Sequence, residues 1–232
     1  MFRFKEFVID DDGCAMKIGT DGVLLGAWAD VACDSNILDM GTGSGLIAIM
    51  AAQRNPKAHI VAIDIVKNAV IQARSNVGHT PWSSRIEVVH GDVNALHSVT
   101  KFDHIVTNPP FFTETLQSPS EARRMARHAT TLTYENIVEV AERLLEPMGR
   151  LSVVLPTAAA MQFRREAFGR LWLRRQTDVV TIEGGEPKRT LMEFQLSPQP
   201  LMPRCEILTI EHRNGGYSEQ YMALTHDFYL NF

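Results

Sequence analysis

The chain has 232 residues, 45% hydrophobic and 22% charged, with a net charge of −4 at neutral pH. These proportions suit a soluble globular domain that buries a core without a metal or disulfide staple. The acidic balance also means that any nucleic-acid contact has to use local basic patches.

Three cysteines, Cys14, Cys33 and Cys205, form no C-x-x-C pair. The odd number argues for a reducing compartment and against a disulfide framework or a zinc cluster, and no metal site is expected. The N-terminus carries charges where a signal peptide needs apolar residues, and no run of about 18 apolar residues occurs. The expectation is a cytoplasmic protein without membrane contact, and no obligate protein partner is evident.

Near the start, Thr20 is placed to cap a helix over residues 22–31. Residues 36–40 form a β-branched, apolar run typical of a buried strand, followed by a glycine turn and a helix over 46–54. A strand over 59–65, a helix over 68–77, and strands over 85–92 and 102–110 follow. A helix over 133–147 puts Ile137, Val140, Ala141, Leu144 and Leu145 on one face, and residues 150–156 return as a strand. This alternation reads as an α/β, three-layer, doubly wound and mostly parallel sheet with helices on both faces. After residue 170 the pattern changes. Residues 178–184, 190–197 and 205–212 read as strands that close the sheet with an antiparallel edge, and 217–230 as a last helix.

Asp39-Met40-Gly41-Thr42-Gly43-Ser44-Gly45 ends the first strong strand and opens a helix. The spacing is G-x-G-x-G, not the G-x-G-x-x-G of dinucleotide binders, and the Lys-Ser/Thr of a P-loop is absent. Asp64 and Asp92 close the next two strands, so three acids fall along the carboxyl edge of a parallel sheet, where ligands bind. Three acids would repel a pyrophosphate. They suit a ligand with an ammonium, a ribose, an adenine amine and a sulfonium, which selects S-adenosyl-L-methionine over NAD. Each acid can also be read as a cap or a brace of its own turn.

Asn108-Pro109-Pro110-Phe111 ends the strand over 102–110. Successive prolines remove two donors and fix φ, which leaves rigid, outward carbonyls. With the Asn108 side-chain oxygen they offer two acceptors at a fixed angle for the two N–H bonds of a planar amine, and Phe111 offers a face for stacking a base. An Asn-Pro-Pro turn alone is common; its place one strand beyond the acids gives it force. Two basic groups, Arg123, Arg124, Arg127 with His128, and Arg164, Arg165, Arg170, Arg174 with Arg175, read either as phosphate contacts or as solvated helix faces.

Across residues 30–160 the sequence resembles class I methyltransferases bearing an NPP(Y/F) motif. With the segment from Met16 to Trp28, Phe112 and Ala126-Arg127-His128, it looks like the bacterial tRNA(Val) adenine-N6 methyltransferase family over nearly its whole length. The resemblance implies a single domain over 1–232 with a seven-stranded sheet, an N-terminal extension (1–32) covering the cofactor and a C-terminal edge (177–232). It implies S-adenosyl-L-methionine as cofactor and the adenine beside the anticodon of a tRNA as substrate. By motif position, Asp39, Gly41, Gly43, Gly45, Asp64, Ile65, Asp92, Val93 and Asn108 would line the cofactor. Lys17, Thr20 and Asp21 would cover its methionine end, Asn108 to Phe111 would hold the base, and Lys188 with Arg189 would join the RNA-binding groups. Relatives of the motif methylate protein glutamine or rRNA guanine-N2. A non-catalytic RNA-binding protein that has kept the fold is the alternative of another class.

Overall fold

Ile37 and Leu38 point to opposite faces of strand β3 (Asn36–Met40), and both are fully buried, as a central strand covered on both sides requires. The computed structural model describes residues 1–12, 17–96, 98, 100–110 and 132–231. A short antiparallel hairpin, β1 (Phe2–Arg3) and β2 (Val8–Ile9), precedes the main sheet. The further strands are β4 (His59–Asp64), β5 (Ile86–His90), β6 (Phe102–Thr107), β7 (Leu145–Pro156), β8 (Trp172–Ile182), β9 (Pro187–Gln195) and β10 (Arg204–Glu211). The helices are α1 (Thr20–Trp28), α2 (Leu46–Arg54), α3 (Lys67–Gly78), α4 (Tyr134–Leu144), α5 (Thr157–Ala167) and α6 (Glu219–Thr225). None of them is long and apolar enough to cross a membrane.

The sheet runs β10-β8-β9-β7-β6-β3-β4-β5, and the apolar core forms two clusters. Ile37 belongs to one, with Leu24 and Leu25 of α1, Ile49 and Met50 of α2, and Tyr221 of α6. Leu38 belongs to the other, with Ile137, Val140 and Leu144 of α4 and Phe163 of α5. The apolar period read from residues 133–147 is the buried face of α4, except that Leu145 already starts β7. Thr133 caps α4, its Oγ1 accepting the Asn136 amide at 3.1 Å while Asn136 Oδ1 accepts the Thr133 amide at 3.4 Å.

The three-layer, mostly parallel architecture expected from the sequence is present, with three differences in detail. Among the described residues the main sheet has eight strands rather than seven. The antiparallel member is internal: β9 pairs antiparallel with both β7 and β8, whereas β10 returns parallel to β8 at the rim. The cause lies in β8, which begins at Trp172, six residues ahead of the expected strand. Its Arg174 and Arg175 look like loop residues, but both pair with the fully buried Glu193 of β9. Third, Thr20 is the first residue of α1 and not its cap; Gly19 holds the cap position without a side-chain bond, and the helix ends at Trp28. That helix lies very close to α2. A Cβ on Gly26 would meet Met50 Sδ at 2.6 Å and one on Gly22 would meet Leu46 Cδ2 at 3.1 Å, so a larger residue at either place requires those α2 side chains to shift.

Opposite the carboxyl edge, where β3 and β6 begin, a buried polar network ties the layers. His104 accepts or donates through Nδ1 to Asp34 Oδ2 at 2.9 Å and through Nε2 to Ser152 Oγ at 2.8 Å, and Arg150 donates to Asp34 Oδ1 at 2.5 Å. Burial alone would push the Asp34 carboxyl up. The bond and charge of His104, with the Arg150 guanidinium, outweigh it and hold Asp34 below the usual carboxylate range.

Candidate active site

The chain leaves β3 toward β4 and β5 on one side, then returns to place β6 and β7 on the other. Such a reversal opens a crevice at the carboxyl ends of β3 and β6, the place where an open α/β sheet takes a ligand. Asp39 is level with Val106, and Thr107 Oγ1 donates to the Met40 carbonyl at 2.8 Å. The glycine turn and Asn108 therefore leave the sheet side by side.

The turn is held from behind. The amides of Gly41 and Thr42 bond to the Ile63 carbonyl at 2.9 and 3.0 Å. Gly41, Gly43 and Gly45 have φ of 74°, 57° and 84°, a region that L side chains rarely adopt. Their surroundings differ. A Cβ on Gly41 or Gly43 would have nothing within 4 Å, so the backbone of these two is open, whereas one on Gly45 would sit 3.4 Å from Ala73 of α3. Gly45 serves helix packing. A residue the sequence reading passed over braces the same turn: Asn76 of α3 donates to the carbonyls of Ser44 (2.8 Å) and Asp10 (2.7 Å) and accepts the Asp10 amide at 3.0 Å. Its signal was available, since Asn76 stands among the apolar positions Ala69, Val70, Ala73 and Val77.

The three acids occupy distinct environments. Asp39 is 1% exposed; its Oδ2 accepts Thr42 Oγ1 at 2.6 Å and the Ala48 amide at 3.1 Å, while Oδ1 has no partner among the described residues. Burial pushes its carboxyl up to about 7 despite the two bonds. A buried carboxylate with an orphaned oxygen lacks a cationic or N–H donor, and S-adenosyl-L-methionine carries both kinds. Asp64 accepts the Gly43 amide at 2.9 Å on Oδ2 and the Val66 amide at 2.8 Å on Oδ1, so it shapes the turn. The next residues, Ile65 and Val66, expose apolar side chains suited to a flat ring. Asp92 Oδ1 takes the amide and side chain of Asn94, both at 2.9 Å. Val93 is buried in the core, which leaves its main chain for any contact.

Asn108 lies directly against the first turn of α1: a Cβ on Gly22 would be 3.8 Å from its Nδ2. Its Oδ1 is buried and, among the described residues, unpartnered. Pro109 is buried and Pro110 exposed, so the pair anchors the segment on one side and opens it on the other. Phe111, the stacking face read from the sequence, and the basic group Arg123, Arg124, Arg127 and His128 lie outside the described residues.

The other expected site residues divide. Lys17 turns back, donating to the Asp11 carbonyl at 2.9 Å and Asp12 Oδ1 at 3.4 Å; Thr20 is exposed at the start of α1. Asp21 and Arg189, assigned from the sequence to cofactor and RNA respectively, bond each other at 2.7 Å. The second basic group is no uniform solvated face. Arg170 pairs with Glu142, Arg174 and Arg175 with Glu193, and the Arg175 guanidinium stacks 3.7 Å from the Trp28 ring centroid. Arg164, Arg165 and Lys188 remain exposed.

Residues 17–179 match the family model of the methyltransferase small domain. Among solved structures, a predicted O-methyltransferase of Agrobacterium tumefaciens superposes with a TM-score of 0.71 at 20% identity, covering 90% of this chain and 96% of that one. TrmN from Thermus thermophilus gives 0.57 at 23% identity, over 75% of this chain and 48% of that one. These likenesses establish the fold as that of class I methyltransferases. In sequence, a tRNA1(Val) (adenine(37)-N6)-methyltransferase from Phocaeicola vulgatus is 49% identical over 99% of this chain and 97% of its own length. One of the same name from Histophilus somni is 39% identical over 100% of this chain and 98% of its own. The chain belongs to the tRNA1(Val) (adenine(37)-N6)-methyltransferase family.

Proposed function

We propose that this protein transfers a methyl group from S-adenosyl-L-methionine to N6 of adenine 37 of a tRNA, tRNA1(Val) by its kinship. The observation that carries the reading is the pairing at one crevice of two buried oxygens that have no partner among the described residues. Asp39 Oδ1 stands on the glycine-turn side and Asn108 Oδ1 on the next strand. The first suits a cationic cofactor, the second an NH2 group.

When bound, S-adenosyl-L-methionine supplies an electrophilic methyl group on a sulfonium. Asp39, the open backbone of Gly41 and Gly43, Asp64, Ile65 and Asp92 would hold it. An adenine amine is a weak nucleophile because its lone pair is delocalised into the ring. Asn108 Oδ1, with the Pro109 carbonyl, accepts the two N–H bonds and returns electron density to nitrogen. Those acceptors also fix the direction of the lone pair and stabilise the positive charge that grows on nitrogen as the N–C bond forms and the S–C bond breaks. The methylated amine is acidic and gives its extra proton to water, so no strong base is needed.

An anticodon-loop base is unpaired, and extruding it costs only stacking, on the order of a few kcal/mol. Of the basic residues expected to bind RNA, Arg164, Arg165 and Lys188 are exposed and available to phosphates on a chain of net charge −4. A tRNA substrate puts the work in the cytoplasm.

The test uses the purified protein, methyl-labelled cofactor and total tRNA, with nucleosides identified by mass spectrometry. N6-methyladenosine at position 37 of tRNA1(Val) is the expected product. Label in protein glutamine or in guanine-N2 would overturn the substrate assignment.

A further inference from the structure

Asp21 and Arg189 are far apart in sequence and meet at the carboxyl edge. Arg189 Nε donates to Asp21 Oδ2 at 2.7 Å, with side chains 36% and 21% exposed. Register fixes where this happens. Arg189 is level with Pro156 at the end of β7, and Thr107, the residue before Asn108, is level with Val153 of the same strand. The ion pair therefore lies beyond the level of Asn108, with β7 between the strand that leads to Asn108 and the strand that carries Arg189. On the α1 side, Asp21 directly precedes Gly22, whose small size lets the helix touch Asn108.

The first turn of α1 needs such a tie. Its cap residue, Gly19, makes no side-chain bond, and Lys17 points back to residues 11 and 12. Among the described residues, Asp21 links residues 17–22 to the strands through its bond to Arg189. Its carboxylate also sits where the unsatisfied amides of a helix start favour negative charge.

We infer that the Asp21–Arg189 ion pair is a latch that holds residues 17–22 against Asn108 and over the cofactor crevice. Both are positioning residues: Arg189 spends its charge on α1 instead of on a phosphate, and Asp21 acts through Arg189 instead of on the cofactor. This inference rests on the proposed function for the identity of the cofactor, but not for the geometry of the latch.

The test measures S-adenosylhomocysteine binding by calorimetry without RNA, tRNA affinity as a function of salt, and amide exchange of residues 17–22. The variants are Arg189→Ala, Arg189→Lys, Asp21→Asn and the double variant Asp21→Asn/Arg189→Ala. Each removal should weaken S-adenosylhomocysteine by about fivefold, the scale of one partly exposed pair, and raise KM for the methyl donor more than it lowers kcat. The double variant should be no worse than either single one, Arg189→Lys should restore most of the loss, and exchange at 17–22 should speed up. The salt dependence of tRNA binding should stay as in wild type.

The latch is overturned if Arg189→Ala leaves S-adenosylhomocysteine binding intact while lowering tRNA affinity and reducing the salt slope by about one. It is overturned equally by additive losses in the double variant. If wild type binds no S-adenosylhomocysteine, the proposed function fails, and the exchange rates alone decide the latch: unchanged rates in Arg189→Ala reject it, faster ones support it.

Discussion

The Asp64 carboxylate receives the Gly43 amide at 2.9 Å, so the acid that ends β4 holds the crest of the glycine turn that follows β3. Its second oxygen is engaged by the Val66 amide at 2.8 Å. A single side chain thus sets the turn and borders the crevice. Asp64→Ala should lower S-adenosylhomocysteine affinity by about tenfold or more, since a charge-assisted bond to the loop and a ligand contact go together. Asp64→Asn should recover part of it, because the amide oxygen can still accept from Gly43. Calorimetry on the three proteins checks this; equal affinities would mean that the turn holds its shape without Asp64.

Asp39 makes cofactor binding depend on pH. Burial pushes its carboxyl up to about 7 from an unfolded value of 3.8. The free folded protein therefore binds a proton that the unfolded chain has already lost, and its stability falls as pH rises from about 4 to about 7. A cationic ligand favours the ionised form and has to expel that proton below about pH 7. Affinity for S-adenosyl-L-methionine should rise with pH through this range in wild type relative to Asp39→Asn, whose own affinity should be weaker at pH 8. Asp39→Asn should also be the more thermostable apo protein at pH 8, with the gap closing near pH 4. Parallel pH profiles for the two proteins would contradict this account.

At the opposite edge, Asp34 is a matter of stability. Its carboxyl binds His104 at 2.9 Å and Arg150 at 2.5 Å in a nearly closed environment. Asp34→Ala leaves the buried His104 imidazole without its Nδ1 partner and Arg150 with only its longer contacts to Asp30 and Glu193, and should cost about 3 kcal/mol in urea unfolding. Because the folded value is depressed below 3.8, this stabilisation is complete above that pH and is lost as pH falls through the lower, folded value. The difference between wild type and variant should therefore shrink in acid. A gap that widens on acidification would show that the network has been misjudged.

Much of the fold was legible because period and punctuation agreed. β3, β4 and β6 are apolar runs with Asp39, Asp64 and Asn108 at or beside their carboxyl ends, and α4 repeats its buried face every three to four residues. The last third was less legible, because β8 runs through two adjacent arginines, one exposed and one half-buried. Arg174 and Arg175 look like surface residues until Glu193, on the neighbouring strand, is seen to neutralise them. The pairing of β10 with β8 was hidden for a related reason: a parallel rim strand and an antiparallel one share the same alternation, and only register tells them apart. At the site, the glycine turn and acids were readable from spacing. The pairing of Asp21 with Arg189 and the bracing role of Asn76 were not, since each depends on contacts between residues distant in sequence.

The central claim is that Asn108 Oδ1, buried and unpartnered among the described residues, accepts the amine that is methylated. Its most direct test is Asn108→Ala, comparing S-adenosylhomocysteine affinity by calorimetry with the single-turnover rate of methyl transfer to tRNA1(Val). The account predicts affinity within about twofold of wild type and a rate lower by at least about 100-fold, the loss expected for an electrostatic stabiliser of the transition state. Methyl transfer at close to the wild-type rate would contradict it.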